Sequence, residues 1–203
     1  MKVVFKIDLK GIINGPRPVV LELGCGPSKQ PGRVGIDRLD LPGVDIIADI
    51  EEGLPFLPAN SIDEVYSKSF FEHIHNFEHL MAEINRVLKK GGKCSLFVPH
   101  FSNPYYYSDY THVHPFGLYT FDYFVNPQYQ PFRKVPSFYT STRIRILRKT
   151  LVFTSPFLPI KAIKMAIGVL INLHSLIQEL YEENLCYIFP CYGLEVVFTP
   201  DSD

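Results

Sequence analysis

Polar and apolar positions alternate between two periods along this chain. Val19-Val20-Leu21-Glu22-Leu23 is an apolar run rich in β-branched residues that stops at Gly24-Cys25-Gly26-Pro27. Such a run, bounded by turn residues, reads as a buried strand. Val34-Gly35-Ile36-Asp37 and Asp45-Ile46-Ile47-Ala48-Asp49 repeat the pattern, each ending in an acid, and residues 62–67 read as a fourth strand. The period then changes. Phe70, Phe71, Ile74, Phe77, Leu80, Met81, Ile84, Val87 and Leu88 recur mostly at three- and four-residue steps, which is one face of a helix. Asn76 suits an N-cap and marks a break, and Gly91-Gly92 after two lysines suits the C-terminal stop. Residues 93–98, closed by Pro99, are the fifth strand. Residues 142–151 alternate Arg143, Arg145 and Arg148 with Ile144, Ile146 and Leu147 and suit a long edge strand, and residues 194–199 are the last strand. Residues 1–8 also alternate as a strand, and residues 14–18 form a turn cluster.

Strands alternating with helical patterns predict a mixed α/β domain with a mainly parallel core. Parallel strands need a connection of about a dozen residues or more. Residues 28–33, with Pro31 and Gly32, are too few for a full crossover helix, so the first helix is expected to be a single turn or absent. A strand that runs into a Gly-x-Gly turn is where open α/β sheets hold nucleotides, because glycine lets a ligand approach the main chain.

The chain has 203 residues, suiting one domain, and with 46% hydrophobic and 20% charged residues it is a folding, globular composition. Its formal net charge of -1 removes a global electrostatic argument for nucleic acid. The four cysteines, Cys25, Cys94, Cys186 and Cys191, do not form the spaced framework of a disulfide-rich protein. The alternating residues 1–8 do not read as a secretory signal, so a reduced, cytoplasmic setting is expected.

Taken in order, ELGCGP, GID, ADI, LPF, SIDEVYS, EHI and EINRVLKKGGKCSLFVP resemble the class I S-adenosylmethionine-dependent methyltransferases, above all the small ones with a type 11 methyltransferase domain. The resemblance covers roughly residues 19–124. It implies a Rossmann-like methyltransferase fold with a mainly parallel seven-stranded sheet, an antiparallel last strand and a shortened first helix. It implies S-adenosylmethionine as cofactor, with Gly24 and Gly26 admitting its amino-acid end and Glu22 meeting its ammonium. Asp37 then accepts the ribose hydroxyls, and Asp49 with the Ile50 backbone meets the adenine; Cys25 and Ser67 complete the expected cofactor set. For a base near the acceptor, the candidates follow the fifth strand: His100, and the cluster Asp109-Tyr110-Thr111-His112. A similar Asp-x-Thr-His element occurs in the related small enzymes, usually with proline in place of Tyr110. Asp109 and His112 equally suit a loop brace.

A nicotinamide reading fails on its own motif, since the third glycine of G-x-G-x-x-G is Lys29 here. His75 and His79 stand one turn apart beside His73, but no third ligand follows at a fixed spacing, and no metal site is expected. The aromatic residues of 100–124 suit a core or an acceptor pocket. Residues 156–185 are strongly apolar, carry Lys161 and Lys164 as the only charges before Glu179, and are short for a membrane span. They are expected to be a helical insertion within the single domain 1–203, closing over the cofactor cleft as a lid; a helix on a membrane surface is the less favoured reading. The expected activity is methyl transfer to oxygen or nitrogen of a small molecule. The alternative is a non-catalytic S-adenosylmethionine-binding module that supports a partner.

Overall fold

The computed structural model describes residues 2–201; Met1 of the expected amino-terminal strand lies outside them. In chain order the elements are β1 (Val4–Phe5), α1 (Leu9–Ile13), β2 (Val20–Leu23), β3 (Val34–Asp37), β4 (Ile46–Ile47), β5 (Ile62–Lys68), α2 (Phe77–Val87), β6 (Leu88–Pro99), β7 (Ile144–Val152), α3 (Leu158–Ile171), α4 (Ser175–Asn184) and β8 (Gly193–Pro200). They build one eight-stranded sheet in the order β1-β4-β3-β2-β5-β6-β8-β7. Strands β2 to β6 run parallel, and β8 is antiparallel to both of its neighbours, as expected of the last strand. The eighth strand is β1, which pairs antiparallel with β4 and covers an edge that the seven-stranded expectation left open. The chain leaves β2 toward β3 and β4 on one side and returns to β5 on the other. The carboxyl end of β2 is therefore the switch point where such sheets hold ligands.

The first crossover is a single 3₁₀ turn, Gly26–Ser28, for the reason read in its length. Helix α2 starts at Asn76, whose side chain accepts the His79 N–H at 3.4 Å, and buries Leu80, Met81, Ile84 and Val87. It ends earlier than Gly91-Gly92 suggested. Leu88 already pairs with Ile62, and Lys89 Nζ sits 2.8 Å from Asp63 Oδ2, so pairing to β5 takes the lysines out of the helix. Much of the aromatic stretch is core. Phe116, Phe121 and Phe124 set their rings edge-on to Phe77 at 5.4, 5.7 and 5.6 Å. Tyr105, Tyr107 and Tyr110 stay exposed. All four cysteines are free and buried.

Residues 156–185 fold as two helices, α3 and α4, broken at Asn172. The break is pinned to the edge strand β7: the Asn172 amide accepts from Leu151 N–H and donates to Leu151 O, both at 2.8 Å. Gln178 Nε2 adds a bond to Lys149 O at 3.1 Å. Gly168 lets α3 approach closely, since a Cβ there would come within 2.9 Å of the Phe153 ring. This corrects the lid: the helices are tied to the far edge of the sheet, and Ile163, Leu170, Leu173, Ile177 and Leu180 are exposed to solvent. No helix among the described residues is long and apolar enough to cross a membrane.

Candidate functional site

A cleft of about 520 Å³ opens at the switch point. Its floor is the turn after β2. Gly24 takes φ +62, which glycine adopts without strain, and its N–H donates to Ile36 O at 2.9 Å. A Cβ on Gly24 would fall 2.2 Å from the Phe70 ring, so the floor is shaped by the missing side chain. Asp37, at the end of β3, braces this floor. Its Oδ2 accepts the Gly26 N–H at 2.9 Å and its Oδ1 the Leu39 N–H at 3.0 Å. Each carboxylate oxygen keeps a second lone pair for a ligand. Asp49 follows β4 and caps a 3₁₀ turn by accepting the Glu51 N–H at 3.1 Å; Ile50 beside it is buried.

The opposite wall comes from the segment after β5. Ser69 turns the chain with φ +51, a strained angle for a non-glycine residue that packing must hold. Glu51 then anchors this wall through the N–H groups of His75 at 2.7 Å and Asn76 at 3.1 Å. Burial alone raises the Glu51 carboxyl, but those two amides and the His75 ring outweigh it and hold it below its usual range. Tyr110, Thr111 and Val113 complete the rim, and the Val113 N–H donates to Glu72 O at 2.8 Å. The loop after β6 closes the cleft, and no residue of α3 or α4 lines it.

The structure thus gathers Gly24, Asp37, Asp49 and Ile50, with the Gly26 backbone beside them. It does not gather four others. Glu22 is buried, and its Oε2 is engaged by the Gln30 N–H at 3.0 Å and Arg33 Nη1 at 3.3 Å, so it closes the short first crossover instead of facing the cleft. Cys25 packs its sulfur against Gly35, where burial and then the charge of Asp37 push its thiol up to about 11. Ser67 is fully buried and donates to Leu23 O at 3.1 Å, stitching β5 to β2. His100 is also fully buried, with Nδ1 2.8 Å from Ser102 Oγ and Nε2 2.8 Å from Glu182 Oε2. Both ring nitrogens are occupied in the interior, so His100 is not the base.

Asp109 and His112 lie beside the cleft rather than in its lining. They line a smaller cavity of about 360 Å³ that shares Ser69 and His73 with the cleft. Asp109 Oδ1 accepts the Thr111 hydroxyl at 2.6 Å and the Thr111 N–H at 2.9 Å, and these bonds hold its carboxyl below the usual range. His112 Nδ1 lies 2.8 Å from Tyr106 O, while Asp109 Oδ2 is 3.6 Å from His112 Nε2. Between them and the sheet sits Glu72, 1% exposed. Burial, with a smaller contribution from the Asp109 charge, pushes its carboxyl up to about 7. Sequence reasoning missed Glu72, Ser69 and Phe70. The available signal was Glu72-His73 within the EHI motif, read there only as helix.

Residues 28–96 match the model of a methyltransferase domain. The chain has the fold of the class I S-adenosylmethionine-dependent methyltransferases. An S-adenosylmethionine-dependent methyltransferase from Archaeoglobus fulgidus superposes with a TM-score of 0.56 at 17% identity, covering 90% of this chain and 86% of that one. The methyltransferase in a Haloferax volcanii complex with the Trm112 activator gives 0.53 at 14%, covering 94% and 87%. A geranyl diphosphate methyltransferase in complex with S-adenosylmethionine gives 0.52 at 11%, covering 92% and 79%. At these identities the likeness to the solved structures is one of fold. No curated protein sequence matches this chain. The matched domain indicates an S-adenosylmethionine-dependent methyltransferase with S-adenosylmethionine as its cofactor.

Proposed function

We propose that this methyltransferase binds S-adenosylmethionine in the cleft after β2 and methylates oxygen or nitrogen of a small-molecule acceptor held in the adjoining cavity. The observation that carries the reading is the convergence of Gly24, Asp37, Asp49 and Ile50 on one cleft, from the ends of three successive strands. The group fits the residues. The Gly24 floor admits the amino-acid end, Asp37 keeps two lone pairs for a ribose diol, and Asp49 with the Ile50 backbone suits an adenine edge. A dinucleotide would need a helix N-terminus for its phosphates. Here there is only a three-residue 3₁₀ turn.

When bound, S-adenosylmethionine supplies an activated methyl group, and the protein's work is to place the acceptor in line with it. Two cavities compete as acceptor site. The larger, about 630 Å³ between α4 and the segment around Tyr119 and Phe132, shares no lining residue with the cleft. The smaller shares two, and it presents His112 and Asp109, which favours it. With Nδ1–H donated to Tyr106 O, His112 keeps Nε2 free to take an acceptor proton.

Calorimetry with S-adenosylhomocysteine and with NAD tests the cofactor assignment. Binding of the first and not the second is expected; binding of NAD alone overturns it. A sharper result is expected from Asp37→Ala. It removes a charged acceptor from two ribose hydroxyls, a loss of about 1.5–3 kcal/mol, so affinity for S-adenosylhomocysteine should fall about 10- to 150-fold. A variant that stays folded and binds as tightly as the wild type removes Asp37 from the site.

A further inference from the structure

Glu72 is buried with one of its carboxylate oxygens unpaired. Its Oε2 has no hydrogen-bond partner, one of two such side-chain atoms among the described residues. Buried polar atoms are nearly always paired. What faces this carboxylate is a pair of imidazoles. A ring nitrogen of His73, one of His112 and a Glu72 oxygen all lie within 4.8 Å of one another, and the two rings stand edge to face at 4.9 Å.

The proton positions on the rings are set from outside. His112 Nδ1 lies 2.8 Å from Tyr106 O. His73 Nδ1 lies 3.3 Å from Thr111 O and 2.9 Å from Thr111 Oγ1, a hydroxyl that gives its own proton to Asp109 at 2.6 Å. These oxygens can only accept, so each Nδ1 carries the hydrogen and each Nε2 presents a lone pair. Outer carbonyls orient metal-binding histidines in this way. Asp109 Oδ2, 3.6 Å from His112 Nε2, adds negative charge at the edge of the cluster.

We propose that Glu72, His73 and His112 bind one divalent transition metal ion. Two imidazoles and a carboxylate suit Zn²⁺, and three protein ligands leave it an open coordination position. All three residues line the cavity of about 360 Å³, so that position faces the space beside the cofactor cleft. This last step rests on the methyltransferase reading and replaces its base: with His112 Nε2 on the metal, the open position takes the oxygen or nitrogen of the acceptor and itself makes the acceptor proton easier to lose, so the acceptor is a metal-ligating molecule.

The test begins with chelator-stripped protein, titrated with Zn²⁺ by calorimetry and with Co²⁺ by visible absorption. One equivalent should bind, with Co²⁺ giving the visible bands of a low-coordinate site. His112→Ala and Glu72→Gln should each weaken Zn²⁺ by more than about 100-fold, the upper end of what loss of an outer partner alone costs. Zn²⁺ should raise the Tm of the wild type and leave that of the variants unmoved. A variant lacking both His75 and His79, the one-turn pair, should bind as the wild type does. His112 lies on a half-buried loop, so its variant carries the test if Glu72→Gln fails to fold. Zn²⁺ that survives His112→Ala, or is lost with His75 and His79, overturns the proposal. S-adenosylhomocysteine binding, measured on the same stripped protein, separates the two readings. If it binds while Zn²⁺ does not, the metal site falls and the methyltransferase reading stands; Zn²⁺ binding without it does the reverse.

Discussion

Lys149→Met is expected to destabilise the fold by about 3–5 kcal/mol, the cost of stripping one partner from a buried ion pair. Lys149 on β7 reaches Asp122 Oδ2 at 2.5 Å and Leu118 O at 3.0 Å, and the two charged side chains are 12% and 2% exposed. The ammonium does not fully compensate the carboxylate. Burial raises the Asp122 carboxyl above its usual range even though Lys149 pulls it down. Removing Lys149 therefore leaves a buried, uncompensated charge and also frees the Leu118 carbonyl. Urea unfolding at neutral pH measures the loss. Adding Asp122→Asn should recover most of it, because the amide carries no charge. The sign of the pH dependence follows from linkage. A buried carboxyl with a raised pKa keeps its proton to higher pH in the folded state than in the unfolded chain. Stability then falls as pH rises through that window, so the deficit of the single variant should shrink as the pH is lowered from neutral. A loss below about 1 kcal/mol, the range of exposed pairs, would show that the contact is not buried in solution.

Gly24→Ala should cost about 2–5 kcal/mol, combining about 1–2 kcal/mol for a left-handed non-glycine residue with about 1–3 kcal/mol for overpacking. The new Cβ would sit 2.2 Å from Phe70 Cδ2 and 2.8 Å from Phe70 Cβ, so rotating the ring alone does not clear it. Phe70 lines the cleft, so affinity for S-adenosylhomocysteine should fall together with stability. Gly26→Ala is the control. Gly26 also has a positive φ, +53, but nothing lies within 4 Å of its missing Cβ. If both variants lose the same stability, the close approach of Phe70 to the turn is not what shapes the floor.

The residues from the strand ends that line the cleft were legible because they sit where a local pattern ends. A strand signal running into Gly24, Asp37 or Asp49 places that residue at the carboxyl edge of a parallel sheet, whatever else the chain does. Glu22 and Ser67 lie inside strands, where alternate side chains leave on opposite faces and neighbours decide what they meet. Glu22 met Gln30 and Arg33, and Ser67 met the Leu23 carbonyl. His100 carried the right chemistry one residue past Pro99, but Glu182, 82 residues later, took its Nε2.

The sequence by itself determined the order of strands, the short first crossover, the Asn76 cap and the acids at the strand ends, because each depends on neighbours within a few residues. Tertiary structure decided where the late helices lie and which histidines meet. The apolar run 156–185 announced helices that need a surface, yet the periodicity is the same whether that surface is a cleft, a membrane or a sheet edge. The paired bonds from Asn172 to Leu151 chose the edge. Likewise His73 and Thr111 are 38 residues apart, and no spacing rule joins them. They meet because the loop after β6 folds back and donates the Val113 N–H to Glu72 O. That bond, with a second from the His114 N–H to the same oxygen at 3.4 Å, holds Asp109 and His112 beside Glu72 and His73, and contacts of that range have no signature in the order of the residues.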